Sequence, residues 1–296
     1  MKLDILHDDH IYAQLDWFTM MFKDCDFISI LEWLHLDSYV DDFVKNFVAR
    51  SCGYDDNFIF GLNGVSVSTK QFGFFGADDA DEDWFYKVFP KVRLDITGSG
   101  LDWLRSRGLD VDEYLRDITK LPFDVERCYP TRCDFAFDLV NYKPEFIDQL
   151  IDYCDHNHTV NNRLCIFQSH APLSYEVKTG GQKTVYVGSK NGTQMLRVYD
   201  KKMQYYDYSA GCYKKENPYN NPDSWIRIEL QCRRDKAALL CYSGGDFGSI
   251  LRHIHDDYNF ADVANTTKQN RRPAEFWSKL FEWDKITKIL QKAYFV

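Results

Sequence analysis

The chain is predicted to be an α+β protein. Its centre is a curved antiparallel β-sheet built from two pseudo-repeats of strand, helix, hairpin, strand and helix, with helices on one face and a helical C-terminal part. Three observations predict this. Asn63-Gly64 and Asn191-Gly192 each separate two runs of strand-forming residues, and such a pair supplies the positive φ angles of a tight hairpin. A strand and a helix precede each hairpin, and a strand and a helix follow it. The halves also align by residue: Leu15-Asp16-Trp17 matches Cys133-Asp134-Phe135, and Arg93-Leu94-Asp95 matches Arg227-Ile228-Glu229. That pattern reads as a duplication, with residues 1–125 as the first pseudo-repeat, 126–245 as the second on the same sheet, and 246–296 as the helical part.

Taken in order, Ile11–Met21 reads as a strand, and Asp26 caps a helix through ISILEWLHL. The hairpin Asn57–Lys70, an acidic loop at Ala77–Asp83 and the strand Lys91–Ile96 follow, and a helix over Leu101–Ile118, interrupted at Gly108, closes the first half. In the second half Thr131–Leu139 is a strand, and Pro144 opens a helix at a first-turn position that tolerates proline. Thr184–Gln204 is the second hairpin, Trp225–Cys232 a strand, and a helix starts at Asp235. Beyond Tyr242, a basic run at Lys268, Arg271 and Arg272 precedes an aromatic-rich helix, Pro273–Leu290, whose apolar stripe reads as a packing face.

The 296 residues carry a net charge of −9, which on its face argues against a polyanionic partner. The distribution reverses that reading. Residues 1–130 hold 13 basic and 25 acidic residues, whereas Lys178–Lys236 holds 12 basic and 6 acidic ones. Nine cysteines without a CxxC pair favour reduced thiols in a cytoplasmic protein over a disulfide or zinc framework. The sequence shows neither a signal layout nor an apolar run of membrane-spanning length.

The second hairpin is the candidate centre of chemistry. On its returning strand, the period of two puts Met195, Arg197, Tyr199 and Lys201 on one face, a phenol between two cations, and Leu196 and Val198 on the other. Counted from the Asn-Gly turns, Thr69 and Gln71 take the places of Arg197 and Tyr199 in the first copy, so only the second copy keeps a nucleophile. On TRCDFAFDL, Arg132, Asp134, Ala136 and Asp138 share a face, and carboxylates there suit a hard divalent cation, with Glu229 as a third member. Carboxylates, a phenol and guanidinium groups together suit metal-assisted phosphoryl transfer. The bland alternatives are a half-buried strand tyrosine, edge or surface charges at Asp134 and Asp138, and Arg227 and Glu229 paired with other sheet residues. His156-Asn157-His158 reads as an exposed loop, and His253 and His255 point to different sides of a helix. No phosphate-loop or zinc-finger pattern is present.

Three blocks resemble the Rep_trans replication initiation factors, a family of rolling-circle plasmid initiators and related relaxases of integrative and conjugative elements. TRCDFAFDL looks like the family's TR-x-D-x-x-x-D strand, YVGSKNGTQMLRVYDKK like its block ending R-I-Y-N-K-K, and WIRIELQCRRDKA like its W-R-x-E-x-E-x-K-R-D block. KVRLDI is similar to its short R-I-E strand, so the likeness runs from Lys91 to Lys236. The resemblance implies a DNA nickase that forms a 5′-phosphotyrosine intermediate with Mg²⁺ or Mn²⁺. Carried over, it makes Tyr199 the nucleophile, with Arg197 and Lys201 beside it. It makes Lys202, Lys190, Arg132 and Arg227 DNA contacts, and Asp134 and Glu229 metal ligands. Thr193 replaces a serine of the pattern, and Gln231 stands where its second Glu is expected, so Asp138 or Asp95 is expected to complete the coordination. Origin DNA, exposed as a single strand or hairpin, a host helicase and a homodimer are the implied partners. A non-catalytic origin-binding protein and a metal-dependent hydrolytic nuclease are the competing readings.

Overall fold

The computed structural model describes residues 2–3, 10–46, 48–52, 55–71, 88–115, 125–161, 173–178, 181–207, 209–242 and 247–258. In chain order these form β1 (Lys2–Leu3), β2 (His10–Cys25), α1 (Phe27–Trp33), α2 (Val40–Lys45), β3 (Val48–Cys52), β4 (Asp55–Leu62), β5 (Val65–Gln71), β6 (Phe89–Ile96), α3 (Gly98–Ser106) and α4 (Val111–Tyr114). The second half adds β7 (Cys128–Val140), α5 (Phe146–Asn161), β8 (Leu173–Val177), β9 (Lys183–Val187), β10 (Gln194–Asp200), β11 (Tyr206–Asp207), β12 (Cys212–Tyr213), β13 (Trp225–Arg233), α6 (Asp235–Tyr242) and α7 (Phe247–Asp257). A large antiparallel sheet with several helices dominates, as the α+β reading expected.

The chain divides into two compact units with bounds other than 125/126 and 245/246. One comprises Met1–Gln14, Phe135–Gln231 and Asp246–Val296; the other comprises Leu15–Asp134 and Cys232–Gly245. In the second of these, the strand order is β3-β4-β5-β6-β2-β7; in the first it is β7-β13-β10-β9-β8, with β1 paired to β2. Strands β2, β7 and β13 contribute residues to both units.

In the unit built on Leu15–Asp134, Asp26 caps α1 as expected, its carboxylate accepting from the Ser29 backbone N–H at 2.7 Å. Such a cap stabilises a helix by about 1 kcal/mol. Phe27 of α1 meets Phe60 and Phe89 edge-on at 5.1 and 5.6 Å. The hairpin β4/β5 closes in two residues, Leu62 pairing with Val65, and Asn63 (φ 49°) and Gly64 (φ 88°) both take positive φ. That geometry matches the twist of the strands it joins. The Gly64 carbonyl then accepts from the Thr97 backbone N–H at 2.9 Å, while the Thr97 hydroxyl caps α3, which starts at Gly98 rather than Leu101.

The second hairpin departs from expectation. The connection between β9 and β10 spans residues 188–193, and the positive φ belongs to Gly188 (109°) and not to Asn191 or Gly192. The Gly192 N–H donates to the Ser189 carbonyl at 2.9 Å, closing an ordinary four-residue turn whose centre needs no left-handed residue. Each hairpin is also extended by a strand the sequence did not mark. β3 pairs with β4, and β8 pairs with β9; β8 is a short run with exposed side chains.

Two further corrections concern helices. Pro144 sits in the turn before α5, which begins at Phe146. His156–His158 lie within α5 and not in a loop, because the helical run that buries Phe146, Ile147, Leu150, Tyr153 and Cys154 continues past them. Phe247 of α7 packs edge-on against Phe135 and Phe137 at 6.1 Å. The acidic loop at 77–83, the basic run at 268–272 and the expected helix over 273–290 lie outside the described residues. Among the described residues, no helix is long and apolar enough to cross a membrane.

Candidate functional site

Tyr199, next to last in β10, is buried with its neighbours Met195, Leu196 and Val198. Its phenol donates to Glu229 Oε2 at 3.0 Å, and Arg197 Nη2 donates to Glu229 Oε1. Glu229 is fully buried on β13 between Ile228 and Leu230, while the Arg197 side chain stays 28% exposed. An ionised carboxylate this deep persists only with a cation and hydrogen-bond donors on it, and Arg197 and Tyr199 supply both. The phenol thus stands against a base that can take its proton, and the base stands against a guanidinium that holds it ionised. Lys201 Nζ lies 5.8 Å from the centre of the Tyr199 ring.

Asp138 and Arg227 form a second set in the same unit. Arg227 grips both carboxylate oxygens, Nε to Oδ1 at 2.6 Å and Nη2 to Oδ2 at 2.7 Å, and both residues are buried. The Tyr219 phenol donates to Asp138 Oδ2 at 2.7 Å. Its ring lies 4.5 Å from Tyr12 and 4.9 Å from Trp225. Burial, with the Asp138 carboxylate adding to it, pushes the Tyr219 phenol well above the usual tyrosine range. Tyr219 was not foreseen. Its one signal was a tyrosine in a polar loop just before a core strand, which is too common to single out.

The remaining expected residues fall as follows. Lys202 Nζ lies 4.4 Å from the Tyr206 ring and donates to the Asp223 carbonyl at 2.9 Å. Lys190 pairs with Glu176 at 3.3 Å, which lowers the Glu176 pKa. In the other unit, Arg132 bonds Asp134 at 2.6 Å and lies over the Trp17 ring at 4.0 Å. Asp95, also in that unit, accepts from Thr19 Oγ1 at 2.6 Å and from Arg93 at 2.6 Å. Within its own unit, then, each expected metal ligand has an arginine on it. Among the described residues, no three of His, Cys, Asp and Glu gather as a metal cluster.

The comparison with curated proteins gives no match. Among solved structures, the fold is similar to that of a rolling circle replication initiator protein from Geobacillus stearothermophilus. The TM-score is 0.59 at 18% identity, covering 94% of this chain and 97% of that one. The replication initiation factor family, Rep_trans, matches residues 130–293, a segment that contains Asp134, Asp138, Tyr199 and Glu229. Since that match spans more than half of the 296 residues, the chain belongs to the Rep_trans family of replication initiation factors.

Proposed function

We propose that the protein is a rolling-circle initiator or relaxase that nicks and rejoins one strand of origin DNA through Tyr199. The observation that carries the reading is the Tyr199 phenol donating to the buried Glu229 at 3.0 Å, inside the family-matched segment. Glu229 takes the phenolic proton as the oxygen attacks phosphorus. The new bond is Tyr199 Oη to phosphorus; the broken one is phosphorus to the 3′ oxygen, which takes a proton from solvent as it leaves while Glu229 gives the phenolic proton back to solvent. The 5′ phosphate stays on the protein, and the reverse displacement rejoins the strand. Arg197 stabilises the charge that builds on the phosphate. Lys201 and Lys202 hold flanking phosphates.

For Mg²⁺ or Mn²⁺ the donor set is sparse, since Glu229, the expected ligand beside the tyrosine, already accepts from Arg197 and Tyr199. Mg²⁺ takes one or two carboxylates and completes its octahedron with water and substrate phosphate oxygens. Glu229, the carboxylate beside the tyrosine, would hold it, and the bound ion would neutralise phosphate charge. Cleavage needs an exposed single strand, so a host helicase is the expected partner, and a homodimer the expected assembly.

The test incubates the protein with a labelled origin oligonucleotide and Mg²⁺ or Mn²⁺, followed by denaturing electrophoresis. An SDS-stable protein–DNA adduct with a free 3′-hydroxyl fragment is expected, and Tyr199→Phe abolishes both while keeping binding. Cleavage that survives Tyr199→Phe identifies a hydrolytic nuclease instead. Binding with no cleavage by the wild type identifies a non-catalytic binder.

A further inference from the structure

Just past Tyr199 the chain leaves the sheet and returns 24 residues later, between the end of β10 at Asp200 and the start of β13 at Trp225. The two ends are pinned together, the Lys201 N–H donating to the Trp225 carbonyl at 2.9 Å. Residues 201–216 hold four tyrosines and four lysines against one Asp and one Glu. Lysine and tyrosine are interleaved in space as well. Tyr206 of β11 and Tyr213 of β12 face each other as a cross-strand pair, ring centres 5.1 Å apart and edge-on. Lys202 Nζ lies 4.4 Å from the first ring and 5.7 Å from the second. Tyr205 has the Trp225 ring at 4.8 Å and Lys215 Nζ at 4.1 Å from its own ring centre. Lys214 and Lys215 are exposed, and Tyr205, Tyr206 and Tyr213 are half-exposed.

The excursion is also braced. Lys214 N–H donates to the Tyr205 carbonyl at 2.9 Å, and the Tyr213 hydroxyl donates to the Pro222 carbonyl at 2.6 Å. Burial pushes the Tyr213 phenol up to about 12, so at neutral pH its ring is an uncharged surface. A two-stranded ribbon seldom holds alone in water. Here side chains and a closed base fix the rings, and half-exposed tyrosines held among lysines are what a base stack and its phosphates require.

We propose that this ribbon, residues 201–216, is a platform for single-stranded DNA that stacks unpaired bases on Tyr206 and Tyr213 and holds their phosphates with Lys202, Lys214 and Lys215. The occupant is single-stranded and not duplex, because stacking needs bases free of their partners, and among its described residues the site carries no α-helix or long strand to fill a major groove. The platform deepens the reading of Tyr199 as the nicking residue, since Lys201 and Lys202 at its base follow that tyrosine by two and three residues. Three residues of chain span at most about 11 Å, so the base of the ribbon guides the strand next to the scissile phosphate.

The test measures binding apart from chemistry, in a Tyr199→Phe background with EDTA, using fluorescein-labelled oligo-dT and a fully paired duplex of the same length. Tyr206→Ala/Tyr213→Ala is expected to weaken oligo-dT binding by about 10- to 100-fold, at the scale of one to two lost stacks, with the duplex affected less than twofold. Tyr206→Phe/Tyr213→Phe, which keeps the rings, restores it. Lys202→Gln/Lys214→Gln/Lys215→Gln lowers the slope of log affinity against log salt by about 2, or about 0.7 per lost phosphate contact. Cys212 of β12 is exposed and gives a check that needs no aromatic substitution. Oligo-dT should slow its alkylation, followed by mass spectrometry of the Cys212 peptide. Unchanged oligo-dT affinity in both the alanine and glutamine variants, equal losses for duplex and single strand, or unaltered Cys212 alkylation would each overturn the platform. Failure of the nicking reading shows separately, as absence of the covalent adduct in the wild type with metal.

Discussion

Asp95 and Glu229 are both strand carboxylates that accept from a neighbouring hydroxyl and from an arginine, yet they suit different work. Asp95 on β6 takes the Thr19 hydroxyl at 2.6 Å and Arg93 at 2.6 Å, with its side chain 18% exposed and that of Arg93 53% exposed. Glu229 on β13 is fully buried and takes the Tyr199 phenol and Arg197. An aliphatic alcohol holds its proton far more tightly than a phenol, whose ordinary pKa is about 10. The same three-part arrangement therefore locks a sheet in one unit and can prime a nucleophile in the other. Asp138 shows a third outcome, a phenol present but the carboxylate clamped on both oxygens by Arg227. The hydroxyl's acidity and the carboxylate's freedom, rather than the presence of an ion pair, separate the three.

The contrast predicts its largest effect at Glu229. Glu229→Gln keeps the shape but removes the base and should slow adduct formation by about 10²- to 10⁴-fold, while Asp95→Asn leaves that rate unchanged. Both are read in single-turnover cleavage, and an equal loss in Asp95→Asn would break the comparison by bringing Asp95 into the reaction. Next in size is the cost of orphaning a buried charge. Arg227→Met should lower unfolding free energy by about 3–5 kcal/mol, whereas Arg93→Met, at a half-exposed pair, should cost about 0–1 kcal/mol. Urea denaturation measures both, and similar values would mean that the Asp138 clamp is not the tight structural pair its 2.6 and 2.7 Å bonds imply.

Much of this was legible in the chain. The period of two along TRCDFAFDL and WIRIELQC marked core strands, and the basic stretch from Lys178 marked the unit of interest. Asp26 announced the α1 cap. What escaped has physical reasons. β3 and β8 are five-residue strands, each at the end of its unit's strand order, and so short a run leaves little pattern in the sequence. The side-chain period put Arg197 and Tyr199 on one face but could not say that both would turn onto Glu229, because that depends on strand neighbours far apart in sequence. Tyr219 and the Tyr206–Tyr213 pair were missed because their residues lie in a stretch that reads as a polar loop. The four lysines and four tyrosines of residues 201–216 were a usable signal.

The smallest predicted effect concerns the two Asn-Gly sites, whose identical dipeptides do different jobs. At Gly64, φ is +88° and an added Cβ would stand 2.5 Å from both Ser99 Oγ and Thr97 Oγ1 and 2.6 Å from the Gly100 nitrogen. Gly64→Ala should therefore cost about 1–3 kcal/mol, the range for a residue forced into a left-handed conformation. At Gly192, φ is not positive and the nearest atom to an added Cβ is the Ser189 carbonyl oxygen at 3.1 Å, a contact that a loop carbonyl can relieve by a few tenths of an ångström. Gly192→Ala should change stability by no more than about 0.5 kcal/mol. Urea midpoints of the two variants decide the matter. If Gly192→Ala proved as costly as Gly64→Ala, the second hairpin would need a left-handed residue at that turn after all, and the displacement of its positive φ to Gly188 would be wrong.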